Sequence, residues 1–291
     1  MPELPEVETV RRGLARLLPN RIIQSVKADW PKSFPNSENE VKQFLINSQI
    51  IRVSRRGKVL IFVLSSGYVL LVHLKMTGQL VFRSNHEHFG AGHPTHSLIG
   101  KLPDQSTRVT IKFIDGSRLF FNDQRKFGWM RLLPGNKVNE LDFFKKFGPE
   151  PLAKGFSWYQ LQERLKRRPN TTIKAALLDQ SVVAGVGNIY ADEALWGAKI
   201  HPATLTKSLS ANQLQQLHKE LIFVLKLAIA KGGSTDKNYV DAEGKQGSYL
   251  NFAHVFRREG QTCPRCSNTI MKIRVASRGT HICPSCQQLK A

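Results

Sequence analysis

The sequence has 291 residues, of which 41% are hydrophobic, so it can build a folded core and is not a disordered tail. Lysine and arginine number 43 against 22 acidic residues, which gives a formal charge of +21. Such an excess repels itself unless the normal partner is a polyanion. Nucleic acid is favoured over an anionic membrane, since no long basic amphipathic stretch stands out.

The first half of the chain predicts one helix followed by strands. Glu3–Leu18 places its apolar residues on one face at helical spacing. From Arg21 to Leu133 the pattern is that of half-buried antiparallel strands, with a hairpin signal at Asp115-Gly116. Between the strands, Arg83–Asp104 is rich in histidine and glycine and predicts a surface loop with solvated histidines.

The second half predicts helices. Residues 134–150 form a Pro/Gly-bearing hinge, and short helices follow over Trp158–Arg168, Thr171–Asp179 and Ile189–Trp196. A longer helix is capped by Ser210 with Gln213. Its core-facing stripe is predicted to be Leu214, Leu217, Leu221, Val224, Leu225 and Ala228.

The four cysteines have the spacing of a metal site. Cys263-x2-Cys266 and Cys283-x2-Cys286 form two knuckles that can present four thiolates tetrahedrally to one Zn²⁺. The zinc is structural, because a four-thiolate shell leaves no open position for a substrate. No cysteine remains for a disulfide elsewhere, which fits a reducing compartment.

A glycine turn between two helices offers a second binding feature. The stretch from Thr171 to Lys174 leads through Gly185-Val186-Gly187 into a helix starting at Asn188, whose backbone N–H groups would point at a phosphate. Asn188 is either the cap of that helix or a DNA contact. The spacing alone does not decide between these roles, since glycine turns between helices are common.

The N-terminus, Met-Pro-Glu-Leu-Pro-Glu, has two interpretations. Proline and acidic residues are favoured in the first turn of any helix. Alternatively, removal of Met1 exposes Pro2 as a secondary amine with an α-amino pKa of about 8, which can attack an aldehydic sugar carbon. Glu3 would then donate or accept protons beside it.

Six segments in order resemble formamidopyrimidine-DNA glycosylase over essentially the whole chain. They are MPELPEVETVRRGL, His73–Gly78, Gln124–Gly128, Leu178–Gln180 running to GVGNIYADEALW, Ile200–Pro202 and the four-cysteine ribbon. The resemblance implies an α+β fold: an N-terminal antiparallel β-sandwich with an N-terminal helix, then a helical domain with a helix-two-turn-helix and a zinc ribbon. The expected domains are 1–133 (catalytic), 134–150 (hinge), 151–258 (DNA-binding) and 259–291 (ribbon).

The resemblance also implies an activity and a catalytic set. It predicts a bifunctional glycosylase and AP lyase of base-excision repair that removes oxidised purines. Pro2 attacks C1′ and forms a Schiff base, and Glu3 assists opening of the sugar ring. Lys58 matches the lysine of base release and β-elimination, and Arg278 matches the arginine of δ-elimination and phosphate binding.

The DNA contacts follow from the same resemblance. A lesion must leave the duplex before C1′ can be reached, and Met76, Arg125 and Phe127 match the residues that fill its place. Without the resemblance, the preferred interpretation of Met76 and Phe127 is that they are core residues at strand ends. Residues 233–249 resemble a loop that covers the lesion. The phosphate contacts are predicted to be Lys174, Asn188 and Arg257.

The expected partner is double-stranded DNA with oxidised purines or abasic sites, bound by a monomer. We expect no membrane partner and a cytoplasmic, bacterial-type enzyme, since the N-terminus has acids and prolines where a signal peptide is apolar. Two alternatives stay open: an endonuclease VIII-like glycosylase for oxidised pyrimidines, and a non-catalytic zinc-ribbon DNA-binding protein. Leu4 and the Met76/Arg125/Phe127 trio favour the purine branch.

Overall fold

The computed structural model describes residues 1–93, 95–234 and 248–289. The chain divides into two compact units. Unit 1 is Met1–Lys145 with Lys231–Ser248, and unit 2 is Lys146–Ala230 with Tyr249–Ala291. Among the described residues, no helix has the length and apolar character needed to cross a membrane.

In its described residues, unit 1 contains three α-helices and two antiparallel sheets. The helices are α1 (Leu4–Leu17), α2 (Glu38–Phe44) and α3 (Asp142–Lys145). The strands are β1 (Ile23–Ala28), β2 (Ile50–Arg56), β3 (Val59–Leu64), β4 (Tyr68–His73), β5 (Gly78–Arg83), β6 (His88–Gly92), β7 (Thr107–Phe113), β8 (Arg118–Asp123) and β9 (Trp129–Pro134). One sheet has the order β1-β7-β8-β5-β6 and the other β2-β3-β4-β9.

One hydrophobic core joins both sheets to α1. Strand side chains such as Phe62 and Phe121 share it with Val7, Val10 and Leu14 of the helix, and all five are wholly buried. Burial of this much apolar surface is the main favourable term that holds the unit together. The predicted sandwich with its N-terminal helix is confirmed.

Two predictions in unit 1 are wrong in detail. The stretch from Arg21 to Leu133 is not all strand, because Ser37 caps α2 with Glu40 as its capping-box partner. The predicted loop Arg83–Asp104 contains a strand, β6, which pairs with β5. Phe89 and Ala91 of β6 are buried in the core, so this segment is structural.

Unit 2 is helical and ends in a two-stranded hairpin. Its helices are α4 (Trp158–Lys166), α5 (Ile173–Leu178), α6 (Asn188–Gly197) and α7 (Ala211–Ala230). The six predicted apolar residues of α7 are its buried residues, and Ser210 with Gln213 forms the predicted cap. The hairpin pairs β10 (Met271–Val275) with β11 (Arg278–Ile282) in antiparallel register.

The turn of this hairpin has an unusual backbone. Val275 pairs with Arg278, so Ala276 and Ser277 alone connect the strands. Both have positive φ, 50° and 60°, as the two-residue turns that match strand twist require. Residues with a Cβ pay about 1 kcal/mol or more for that conformation. Other contacts must therefore hold the turn.

Candidate active site and metal centre

The predicted nucleophile is buried directly behind an exposed Met1. Pro2 is buried, Glu3 is 4% exposed, and Glu3 occupies the cap position of α1. The carboxylate of Glu6 accepts the Glu3 backbone N–H at 2.8 Å. Its other oxygen accepts from the backbone N–H and the hydroxyl of Ser234, at 2.7 and 2.9 Å. Glu6 therefore links the backbone of Glu3, next to the predicted nucleophile, to Ser234.

Lys58 lies in the turn between β2 and β3 and is 5% exposed. His73 ends β4, and its Nδ1 accepts the Lys75 backbone N–H at 3.0 Å. Burial, together with the positive charges of Lys75 and Lys58, lowers the pKa of His73 to about 3. The imidazole of His73 is thus neutral at physiological pH, although Lys58 and Lys75 beside it are basic.

Met76, Arg125 and Phe127 come together at the surface of unit 1. Arg125 Nη1 lies 3.2 Å from the Met76 sulfur, and the Arg125 guanidinium carbon lies 4.9 Å from the centre of the Phe127 ring. Met76 is 39% and Phe127 52% exposed. They are not core residues, which removes that alternative. An exposed apolar pair beside a cation suits insertion into a base stack.

A buried carboxylate holds the loops that carry this trio. Asp123 is wholly buried and accepts the Thr77 hydroxyl. It also accepts the backbone N–H groups of Arg125 at 3.2 Å and Gly128 at 2.6 Å. Asp123 was not predicted from the sequence, because an acidic residue at a strand end carries no local sign of which donors it will accept hydrogen bonds from.

Asn188 is the first residue of α6, whose cap is Gly187, so Asn188 is not the cap. Its Nδ2 donates to the Gly279 carbonyl at 3.0 Å. Gly185, at a φ of 86°, forms the turn before the helix, and its N–H donates to the Gln180 side chain at 2.8 Å. The predicted helix–glycine turn–helix is present, and a DNA contact at Asn188 stays a prediction.

Lys174 does not match the phosphate contact predicted for it. Its side chain is wholly buried, and Nζ lies 2.5 Å from Asp192 Oδ1. Nζ also donates to Thr280 Oγ1 at 2.8 Å and to the Gly279 carbonyl at 3.3 Å. An ammonium has three donors, so this geometry leaves none for a phosphate. The sequence alone does not reveal that this lysine is buried.

Arg278 and Arg257 are both exposed, as phosphate contacts must be. The segment before Arg257 is held by the wholly buried Glu193, which accepts the backbone N–H groups of His254, Val255 and Phe256 at 2.8 to 2.9 Å. Glu193 was also missed. Of the predicted lesion-covering loop, residues 235–247 lie outside the described residues.

The four cysteine sulfurs meet as predicted. All lie within 4.8 Å of one another, with 4.0 Å between Cys263 and Cys286 and 3.4 Å between Cys266 and Cys283. A zinc tetrahedron with bonds of about 2.3 Å needs sulfurs about 3.8 Å apart. The donor set and its spacing therefore fit one structural zinc, which these four thiolates would hold.

The chemistry of the thiols also fits a cation. A backbone hydrogen bond from Asn268, with further hydrogen bonds, lowers the pKa of Cys266 to about 6. Burial and the neighbouring thiols raise the pKa of Cys286 to about 12. Zinc binding requires all four thiols to be deprotonated. Four negative thiolates at this spacing repel one another unless a cation lies among them.

Family models match the chain in three consecutive segments. The formamidopyrimidine-DNA glycosylase N-terminal domain matches residues 1–130, and the H2TH domain of the same family matches residues 147–239. A zinc finger found in FPG and IleRS matches residues 260–289. The helix-led sandwich, the paired helices and the ribbon thus define a DNA repair glycosylase.

Similar proteins cover the same length. Formamidopyrimidine-DNA glycosylase of Ligilactobacillus salivarius is 40% identical over 291 residues, which is 100% of each chain. The Lactococcus lactis Fpg structure with abasic-site DNA has a TM-score of 0.87 and 37% identity, over 99% of this chain and 100% of that one. The wild-type Lactococcus complex with N7-benzyl-Fapy-dG DNA has a TM-score of 0.86, with the same identity and coverage. The chain belongs to the formamidopyrimidine-DNA glycosylase family.

Proposed function

We propose that this protein is a bifunctional DNA glycosylase and AP lyase of base-excision repair. Its substrates are oxidised purines, 8-oxoguanine and formamidopyrimidines, and abasic sites in duplex DNA. The observation that carries the proposal is the full-length similarity to formamidopyrimidine-DNA glycosylase, combined with a Pro2-Glu3 start that Glu6 holds in place. The formal charge of +21 suits a partner with a dense row of phosphates.

Pro2 is the nucleophile once Met1 has been removed. Its nitrogen forms a bond to C1′ of the damaged nucleoside, the glycosidic bond breaks, and the base leaves with the bonding electrons and takes up a proton. Loss of the amine proton and cleavage of C1′–O4′ then give an iminium, and Glu3 delivers a proton to O4′. The product of this stage is a covalent enzyme–DNA Schiff base.

Lys58 and Arg278 serve the later steps. Lys58 assists base release and the β-elimination that expels the 3′ phosphate. Arg278 binds phosphate and assists the δ-elimination that expels the 5′ phosphate. The DNA product is a one-nucleotide gap with phosphate at both ends. The zinc has no chemical step, since four thiolates fill its shell.

The exposed trio serves the vacated duplex. Met76 and Phe127 enter the space that the flipped nucleotide leaves, with Phe127 against the neighbouring base step. Arg125, held between them, donates hydrogen bonds to the orphaned cytosine. Arg257 and Asn188 contact phosphates near the lesion. The trio's exposure and its mutual contacts support this assignment.

We also propose the functional division of the chain and its compartment. Residues 1–133 carry the nucleophile, 134–150 form the hinge, 151–258 bind DNA, and 259–291 form the ribbon. The division of contacts after Lys145 supports a boundary within the hinge. The protein acts as a monomer in the bacterial cytoplasm, where DNA is accessible and thiols stay available for zinc.

Borohydride trapping on duplex DNA with an abasic site tests the mechanism. We expect one covalent adduct per protein, and peptide mass analysis should place it on an N-terminal peptide that begins at Pro2. Pro5→Ala is the matched control, because it changes a nearby proline in the first turn of α1 and leaves the terminal amine. Absence of an adduct from protein with a free Pro2, or an adduct on another residue, would refute the nucleophile.

Excision of 8-oxoguanine opposite cytosine, compared with excision of thymine glycol, tests the substrate class. The Met76/Arg125/Phe127 trio favours the purine lesion, because Arg125 has a cytosine to read. A higher kcat/KM on thymine glycol would instead assign the protein to the endonuclease VIII-like branch.

A further inference from the structure

A buried ion pair joins α5 to α6 in unit 2. Lys174 and Asp192 have no exposed side-chain surface, and their Nζ and Oδ1 atoms lie 2.5 Å apart. Removing two charges from water costs several kcal/mol per ion before their attraction is counted. The mechanism proposed above uses neither residue. In some proteins such a pair specifies one arrangement of the chain instead of adding stability.

The pair also forms hydrogen bonds to the ribbon hairpin. Lys174 Nζ donates to the Thr280 hydroxyl at 2.8 Å and to the Gly279 carbonyl at 3.3 Å. Asp192 Oδ2 accepts the backbone N–H of His281 at 2.9 Å. The pair therefore grips three consecutive residues at the start of β11, and these residues follow Arg278 directly.

Thr280 passes the contact on to Arg278. Its hydroxyl, which accepts from Lys174, donates to the Arg278 carbonyl at 3.0 Å. Thr280 is wholly buried, so this hydroxyl has no access to bulk water. A continuous hydrogen-bonded path thus runs from Asp192 through Lys174 and Thr280 to the backbone of Arg278.

The hairpin turn needs such a hold. Ala276 and Ser277, directly before Arg278, are both in the left-handed region that favours glycine or asparagine. Backbone in this region persists where surrounding contacts over-determine it. The backbone directly before Arg278 is therefore strained, and the hydrogen bonds to Gly279, Thr280 and His281 directly after it hold the hairpin in that conformation.

We propose that Lys174, Asp192 and Thr280 are positioning residues for Arg278. They fix the backbone from which its guanidinium reaches the phosphate, and they touch neither the sugar nor the base. The proposal rests on the proposed function in one respect, the role of Arg278 in δ-elimination. It predicts a selective defect: formation of the Schiff base continues, while the final elimination slows.

Thr280→Val and Thr280→Ser form the first test. Valine removes the hydroxyl that links Lys174 to Arg278, whereas serine keeps it. On abasic-site DNA we expect the ratio of δ- to β-elimination product to fall about tenfold or more with valine, because small misplacements of a positioned group cost that much. Borohydride trapping should stay at the wild-type level, and serine should restore the ratio.

Zinc content separates positioning from loss of the ribbon. Both Thr280 variants should bind one zinc per chain, and only variants that do so are compared. A wild-type product ratio in zinc-loaded Thr280→Val, or an equal fall in trapping and δ-elimination, would overturn the proposal. Failure of the wild-type protein to trap at all would instead refute the proposed function, so the two failures are distinguishable.

A double-mutant cycle gives a second test that tolerates a weakened fold. Asp192→Asn should lower the product ratio in the wild-type background and leave it unchanged in the Arg278→Ala background, since the path ends at Arg278. Both backgrounds carry the same loss of stability, so a purely structural role would lower the ratio equally in each. Additive effects would refute positioning through Arg278.

Discussion

Both units hold exposed side chains with the help of buried carboxylates, but the partners of those carboxylates differ. In unit 1, Asp123 accepts two backbone N–H groups and a hydroxyl beneath the Met76/Arg125/Phe127 trio. In unit 2, Asp192 pairs with a buried lysine beneath Arg278. His73 of unit 1 is kept neutral by burial and by the positive charges of two lysines.

This difference sets how badly each unit tolerates loss of its carboxylate. Removing Asp123 leaves unsatisfied donors, whereas removing Asp192 leaves a whole charge without its counter-ion in a buried site. The stability of unit 2 should therefore be more sensitive to loss of its buried carboxylate than the stability of unit 1. Unit 2 also depends on zinc binding by the ribbon, which makes it more sensitive still.

Cys283→Ser should have the largest effect. The thiolate is one of four zinc ligands, and apparent zinc-binding free energies of about 10–16 kcal/mol are also folding free energies in such small sites. We expect zinc content to fall below one per chain, with loss of DNA binding. Ser285→Ala, an exposed neighbour, is the control and should keep its zinc. A zinc-free variant with full DNA affinity would contradict this prediction.

Asp192→Asn should have the next largest effect on stability. It leaves the Lys174 charge buried, so the free energy of unfolding should fall by about 3–5 kcal/mol. Denaturant unfolding measures it, with Asp29→Asn as the control, because Asp29 is exposed and its ion pair with Lys27 is worth little. A loss as small as that of the control would show that the buried pair is not stabilising.

Asp123→Asn should lower the free energy of unfolding by about 1–3 kcal/mol, because the amide cannot accept every donor that the carboxylate accepts. The loss is expected to be smaller than for Asp192→Asn, and the order of the two is the point to check. Excision of 8-oxoguanine should also slow, since the loops under the trio lose their anchor. An Asp123 variant less stable than the Asp192 variant would reverse the comparison between the units.

The neutral His73 should make stability depend on pH. The native imidazole stays unprotonated down to a pKa of about 3, whereas the unfolded chain takes up a proton near pH 6.5. Stability is therefore lost as the pH falls from about 6.5 towards 3, by at most about 1.4 kcal/mol per pH unit. His73→Gln should flatten the curve of Tm against pH in this window. The exposed His86→Gln should not, and an equal flattening would contradict the assignment.

Phe127→Ala should have the smallest effect on stability, about 0.5 kcal/mol or less, because its side chain is 52% exposed. Excision from duplex DNA should nevertheless slow by about tenfold or more, since the wedge that offsets the unstacking is lost. Cleavage of a single-stranded abasic site should change little. Phe223→Ala, 54% exposed in α7, is the control. Equal losses on both DNA forms would argue against a wedge.

Local patterns predicted those parts of the fold that local physics determines. The apolar spacing of α1 and α7 and the cysteine knuckles needed no knowledge of distant partners. Strand β6 was missed because HFGAG has two glycines and no clear alternation, and its pairing to β5 is what makes it a strand. Helix α2 was missed although Ser37 and Glu40 carried a capping signal that could have been found.

The candidate site divides in the same way. Resemblance supplied the residues that reach outwards, such as Arg125 and Arg278, because a motif records their identity. It did not supply Asp123, Glu193 or Glu6, whose roles depend on backbone N–H groups brought to them by the fold. Lys174 was predicted to be a phosphate contact for that reason, since no sequence pattern separates a solvated lysine from one buried against Asp192.

The contact between Glu6 and Ser234 has a consequence for the order of events during synthesis. It joins residues 228 positions apart. These hydrogen bonds beside the N-terminus therefore cannot form until the segment after α7 has left the ribosome. At about 5–20 residues per second this takes tens of seconds. Met1 can be cleaved from an open N-terminus throughout that interval. The length of the chain thus separates in time the removal of Met1, which frees the amine of Pro2, from formation of the contact between Glu6 and Ser234.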